Sequence, residues 1–239
     1  MRIVYIRFKT MFIVLTVALI TLALIIFLSI NLSSKTKESF NNDDVYYKGT
    51  IDEKIIAFTC NVDWGNDYIP SMLNIFGENN IKITFFVTGR WAEKNPELLK
   101  MIYKNGHEIG NHGYFHRDYS TLDYEDNRKE IYKADQIITE ILGIKSSYFA
   151  PPSGAYNNET IKAANDLGYK LIMWSIDTID WRKDSTKDKI INRVVGKHHN
   201  SAIVLMHPKE ETVKALPVII QNLKDKGYKI GSISDIMRQ

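Results

Sequence analysis

The sequence predicts an α/β fold, a parallel sheet covered by helices, with a membrane segment ahead of it. Three observations carry that expectation. Short apolar runs alternate with helix-length amphipathic stretches from Lys54 to near the end of the chain, the pattern of strands joined by crossover helices. Several of those stretches stop at a glycine placed as a C-cap. One unbroken apolar run precedes them all.

That run, residues 11–30, reads MFIVLTVALITLALIIFLSI, with no charge and no proline. It is long enough to cross a bilayer as a helix. Arg2, Arg7 and Lys9 lie before it, and positive charge stays on the cytoplasmic side. Residues 1–10 are therefore expected as a cytoplasmic tail and 11–30 as an uncleaved, single-pass signal anchor in the cell membrane, with the rest of the chain outside. A cleaved signal peptide fits less well, because the run exceeds a usual apolar core and no A-x-A-like site follows it. Residues 33–44 are polar and read as a tether. The expected division is a linker over 31–53 and a folded domain over 54–237.

The net charge of +3 is misleading. Residues 1–37 hold five basic side chains and no acidic one, so the remainder carries −2. With no basic stripe, nucleic acid is excluded as a partner, and a monomer is expected. Cys60 is the only cysteine, so no intrachain disulfide can form. It follows an apolar run and reads as a small buried hydrophobe.

Within the domain the apolar runs fall at 55–59, 83–88, 108–111, 147–150, 171–176, 202–206 and 229–232. Helical patterns occupy 96–104, 125–142, 160–167, 187–195 and 213–226, and Gly106, Gly143, Gly168 and Gly227 follow helices as caps. About seven parallel strands point to a barrel or a strongly curved sheet. Such folds carry their chemistry at the C-terminal ends of the strands. Polar and turn residues gather there in five places: Cys60 to Gly65, His112 with His116, Pro151 to Gly154, Asp177 to Trp181, and His207-Pro208.

His112 and His116 are four residues apart, so a turn or short helix aims both imidazoles at one point. Two convergent neutral imidazoles form most of a zinc-type site that a carboxylate from elsewhere would complete. The alternative is two partly exposed histidines on a polar loop. Asn61 and Asp63 alternate along an extended segment and point the same way.

The ordered set of five motifs resembles the NodB-like polysaccharide deacetylases, carbohydrate esterase family four, over about residues 54–237. Within that family the similarity is to membrane-anchored, sporulation-type deacetylases of Gram-positive bacteria. The resemblance implies a distorted (β/α) barrel of about seven parallel strands. It also implies one divalent metal ion, zinc or another such as cobalt, and removal of acetyl groups from an N-acetylated polysaccharide of the peptidoglycan or chitin type. By resemblance, Asp63, His112 and His116 bind the metal, whose bound water is the nucleophile. His207 is the general acid and Asp180 orients it. Pro152, Ser153, Trp181 and Leu205 shape the substrate pocket, with the Ser153 amide on the oxyanion.

Two positions depart from the family pattern. Asn61 stands where the family has its base aspartate, and an amide cannot take a proton from water. Ala150 stands where an arginine braces that base. The pair of changes is coherent, since a buried arginine without an anionic partner would be an uncompensated charge. The expectations are therefore a slow deacetylase, an inactive glycan-binding or scaffolding protein, or a hydrolase of other esters or amides.

Overall fold

The structure, a computed structural model, describes residues 13, 15–24 and 44–237. It has two units, residues 1–41 and 42–239. In the first, the described residues are helical and their side chains are exposed. Among the described residues no helix is long and apolar enough to cross a membrane. The rest of the expected span over 11–30, the tail over 1–10 and most of the expected linker lie outside the described residues.

The second unit is a nine-stranded sheet, two strands more than expected. Its strands are β1 (Val45–Tyr46), β2 (Ile55–Val62), β3 (Thr84–Val87), β4 (Glu108–Asn111), β5 (Tyr148–Phe149), β6 (Lys170–Ile172), β7 (Ile176–Asp177), β8 (Ile203–Met206) and β9 (Lys229–Gly231). The order is β1-β6-β5-β4-β3-β2-β8-β7, and β9 pairs with the first half of β2. Every strand pairing is parallel. Among the described residues no pairing joins β1 to β7, so the sheet is curled rather than closed. An antiparallel bridge from Lys48 to Ala202 ties the chain after β1 to the start of β8. The sheet thus begins upstream of Lys54, and the apolar run over 171–176 divides into β6 and β7.

Alternation along the strands makes two cores. Ile56, Phe58, Cys60 and Val62 of β2, with Val204 and Met206 of β8, pack against the helices. Ala57, Phe86 and Ile203 face the inside of the curl with Ile172, Ile233 and Ile236. Each Val, Ile, Phe or Met among them contributes about 1.5–3 kcal/mol when fully buried. The inner space between neighbouring strands is tight. A Cβ at Gly110 of β4 would lie 2.3 Å from the Phe86 ring. The C-terminal segment closes the end of the curl where β3 begins, with the Ile233 N–H donating to Thr84 Oγ1 at 2.8 Å. The opposite rim, at the strands' C-terminal ends, stays open.

The helices follow the predicted pattern. Pro96–Lys104, Tyr124–Leu142, Asn158–Asp166, Lys187–Lys197 and Glu210–Asp225 are joined by Ile69–Glu78 and Gly89–Lys94. Gly106, Gly143, Gly168 and Gly227 all have φ between +71° and +81°, the left-handed geometry that ends a helix. Buried Cys60 has its thiol pushed well up, first by burial, and is inert by that measure.

Candidate functional site

The open rim holds a cleft of about 450 Å³. The structure brings Asn61, Asp63, His112, His116, Ser153, Trp181, Leu205 and His207 together on its walls. Trp64, Trp174 and Asp177 complete the lining. Pro152 is buried beneath the Ser153 turn, and Asp180 is buried behind His207.

Alternation places these groups. Asn61 continues the inward series of Ala57 and Thr59 on β2, and Leu205 follows Ile203 on β8. Beyond β8, His207 Nδ1 lies 2.7 Å from Asp180 Oδ1. The His207 backbone N–H donates to Asp180 Oδ2 at 2.7 Å, and the Thr212 hydroxyl donates to the same oxygen at 2.6 Å. A carboxylate only accepts, so Nδ1 carries the proton and Nε2 is left for the cleft. Asp180 follows Ile179, whose φ of 53° is rare for a β-branched residue. Such strain costs on the order of 1–3 kcal/mol and clusters at functional sites. The Ile179 N–H donates to Asp177 Oδ1 at 2.6 Å, which holds the turn.

Trp64 stacks on His207 with ring centroids 5.7 Å apart and planes 10° apart. Gly65 allows this approach: its φ is +89°, and a Cβ there would lie 2.2 Å from Pro208 O. Trp64 and Trp181 remain 42% and 54% exposed, which leaves broad aromatic surface at the cleft mouth.

His112 and His116 meet through a bend rather than a helix, with ring centroids 5.2 Å apart and φ of 56° at His116. His112 Nδ1 is 2.6 Å from Ala150 O, so its proton sits there and Nε2 carries the lone pair. Burial, then the neighbouring His116, pushes its pKa down to about 3. Burial also lowers His116, against the pull of Asp63. Both rings are neutral donors in the form that a cation requires.

The expected third donor is engaged elsewhere. Asp63 Oδ1 accepts from Arg90 Nε and from the Thr88 hydroxyl, each at 2.7 Å, and Arg90 Nη2 grips Oδ2. Burial acts to raise the Asp63 pKa, but these partners hold it below the usual carboxylate value. Among the described residues no group of three or more His, Cys, Asp or Glu is arranged to hold a metal ion. As placed, Asp63, His112 and His116 line one cleft, with both Asp63 oxygens engaged by Arg90 and Thr88.

Asn61 is buried, and its Oδ1 has no hydrogen-bond partner. Ala150 is buried as well and brings no charge to the cleft. Sequence reasoning gave no role to Trp64, Thr88, Arg90, Trp174 or Thr212. For Thr88 and Arg90 the available signal was position, because Thr88 ends the apolar run over 83–88 and Arg90 lies two residues beyond it.

Comparison with known proteins shows the family. The polysaccharide deacetylase family profile matches residues 48–172. The peptidoglycan-N-acetylmuramic acid deacetylase PdaA of Bacillus subtilis (strain 168) is 31% identical over 198 residues, 81% of this chain and 75% of PdaA. The chain belongs to the polysaccharide deacetylase family, the NodB-like carbohydrate esterases of family four. YlxY of B. subtilis (strain 168), an uncharacterized protein, is 41% identical over 191 residues, 80% of this chain but 60% of YlxY. The crystal structure of BA3943 of Bacillus anthracis, described as a CE4 family pseudoenzyme, is 40% identical with a TM-score of 0.78 and covers 82% of this chain and 70% of that one. A BA3943 mutant described as having restored enzymatic activity is 38% identical with a TM-score of 0.78, covering 82% and 72%.

Proposed function

We propose that this domain is a silenced polysaccharide deacetylase that holds an N-acetylated cell-wall glycan, of the peptidoglycan or chitin type, without releasing its acetyl groups. One observation carries the reading. The position of the base is an amide, Asn61, buried with its carbonyl oxygen unpartnered. Of the cleft's two carboxylates, Asp63 has both oxygens held by Arg90 and Thr88, and Asp177 lies in the turn before Asp180, its Oδ1 accepting from the Ile179 N–H. Water in this cleft therefore meets an amide, not a carboxylate, at the position of the base. The likeness to BA3943, described as a pseudoenzyme, supports the same reading. The exposed faces of Trp64 and Trp181 give a saccharide large, rigid surfaces to cover.

A slow deacetylase is the second reading, favoured by the intact pair of His207 and Asp180. In it, His207 would first take up a proton at Nε2, on the cleft side of its ring, and then pass it to the leaving nitrogen. General-base assistance is worth about 10²–10⁴ in rate, and its loss at position 61 sets the expected deficit. On either reading, residues 11–30 are proposed as the anchor of a monomeric domain at the outer face of the cell membrane.

Calorimetry with N-acetylated chito-oligosaccharides and peptidoglycan fragments tests the first reading. Saturable binding is expected, retained in His207→Gln and weakened about tenfold or more, 1.4 kcal/mol, in Trp181→Ala. An absence of binding to every such glycan overturns it.

A further inference from the structure

The geometry points to Arg90 as a built-in cation that stands against Asp63 where the family places a divalent ion, so that this cleft is closed to tight metal binding. The Asp63 side chain is 10% exposed and the Arg90 side chain 40%. A carboxylate so covered needs a counter-charge, and a guanidinium answers it with two donors in a fixed fork. Both Asp63 oxygens are used, one by Arg90 Nε together with the Thr88 hydroxyl and the other by Arg90 Nη2.

The pair is held by its scaffold. β2 and β3 are neighbours in register, Val62 opposite Val87, so the chain leaves both strands at the same level. Thr88 caps the helix Gly89–Lys94, accepting from the Trp91 N–H at 3.3 Å. Trp91 Nε1 donates to Asn66 Oδ1 at 2.6 Å, and Asn66 Nδ2 donates to Asn95 Oδ1 at 2.8 Å. These bonds stitch the loop after Asp63 to the helix that carries Arg90. A divalent ion would have to displace the guanidinium from that fixed position. Without Asp63, His112 and His116 are a two-donor remnant, and two donors fall short of the usual three or four.

This inference concerns the cation alone and does not depend on which glycan fills the cleft. Zinc ions titrated into the full-length chain test it, with heat as the readout. The wild type is expected to bind Zn²⁺ weakly, and Asp63→Asn to match it, because Asp63 is not a ligand. Arg90→Gln is expected to bind about 10- to 100-fold more tightly, because it frees the Asp63 carboxylate to act as a third donor. Arg90→Gln with Asp63→Asn should return to the wild-type value. Tight binding by the wild type that Asp63→Asn weakens overturns the proposal. So does a folded Arg90→Gln variant with unchanged affinity, folding being checked by its thermal transition. Should Arg90→Gln not fold, the wild type compared with Asp63→Asn still decides. Loss of this inference leaves the glycan-binding result untouched, since no saccharide is present.

Discussion

At position 61 the proposed base position carries an amide with the shape of a carboxylate, and the consequence of that reading is chemical rather than architectural. Asn61 keeps the inward place that alternation along β2 gives it, yet it cannot take a proton from water and brings no negative charge to the cleft. Ala150, the second departure, removes the positive charge that would otherwise face a neutral amide. Rebuilding both is therefore the direct test at this scale. In the Arg90→Gln background with Zn²⁺ supplied, adding Asn61→Asp and Ala150→Arg should raise acetate release from a chito-oligosaccharide by about 10²-fold over Arg90→Gln alone. No gain, with the fold intact, would show that positions 61 and 150 do not govern turnover. These two residues were legible in the sequence because the order of motifs fixes their places. Arg90 was not. Its partner lies 27 residues away in the chain, and they meet only because β2 and β3 are adjacent in register. Apolar periodicity marks strands without saying which ones pair.

At the scale of elements, the site depends on how closely β3 and β4 approach inside the curl. Phe86 fills the inner core because Gly110 presents no Cβ to its ring. Gly110→Ala should cost about 1–3 kcal/mol in urea unfolding, as overpacking does. Phe86→Leu in the same chain should recover part of that loss by clearing the new methyl. If the two costs simply add, the close approach is not what constrains position 110. The same scale shows where sequence patterns suffice. The longer strands and most helices announced themselves through runs of apolar residues and terminal glycines. β1 did not, because its two residues sit in a polar stretch and owe their conformation to β6. The division of the run over 171–176 was nearly as hidden: Met173 and Trp174 are apolar, and Ser175 alone marks the break. The bend that joins His112 to His116 shares its four-residue spacing with a helical turn, and spacing alone could not separate the two.

For the folded unit as a whole, buried neutral histidines set the response to acid. Burial, followed by the charge of Lys82, pushes the His107 pKa down to about 4. Its Nδ1 accepts from the Ile83 N–H at 3.1 Å, and it packs against Phe76 and Phe85. The unfolded chain takes up this proton near pH 6.5 and the folded chain only near pH 4, so the unfolded state binds more protons between those limits. Stability should fall as pH drops through that window, by on the order of 3 kcal/mol for this one group. His112, lowered further for the same reason, adds in the same direction. Denaturant unfolding at pH 7, 5 and 4 should show the decline, and His107→Asn, which keeps an acceptor for Ile83, should flatten it. An unchanged slope in that variant would place the acid sensitivity elsewhere.

The central claim is that the family's rim survives here as a glycan site while the hydrolytic step has been lost. Acetate released by the full-length chain from N-acetylated peptidoglycan fragments, with Zn²⁺ or Co²⁺ supplied, tests it most directly. The expected result is no acetate above a protein-free control, from a preparation that binds the same fragments saturably. Acetate that accumulates in proportion to protein concentration, and disappears in His207→Gln, would contradict it.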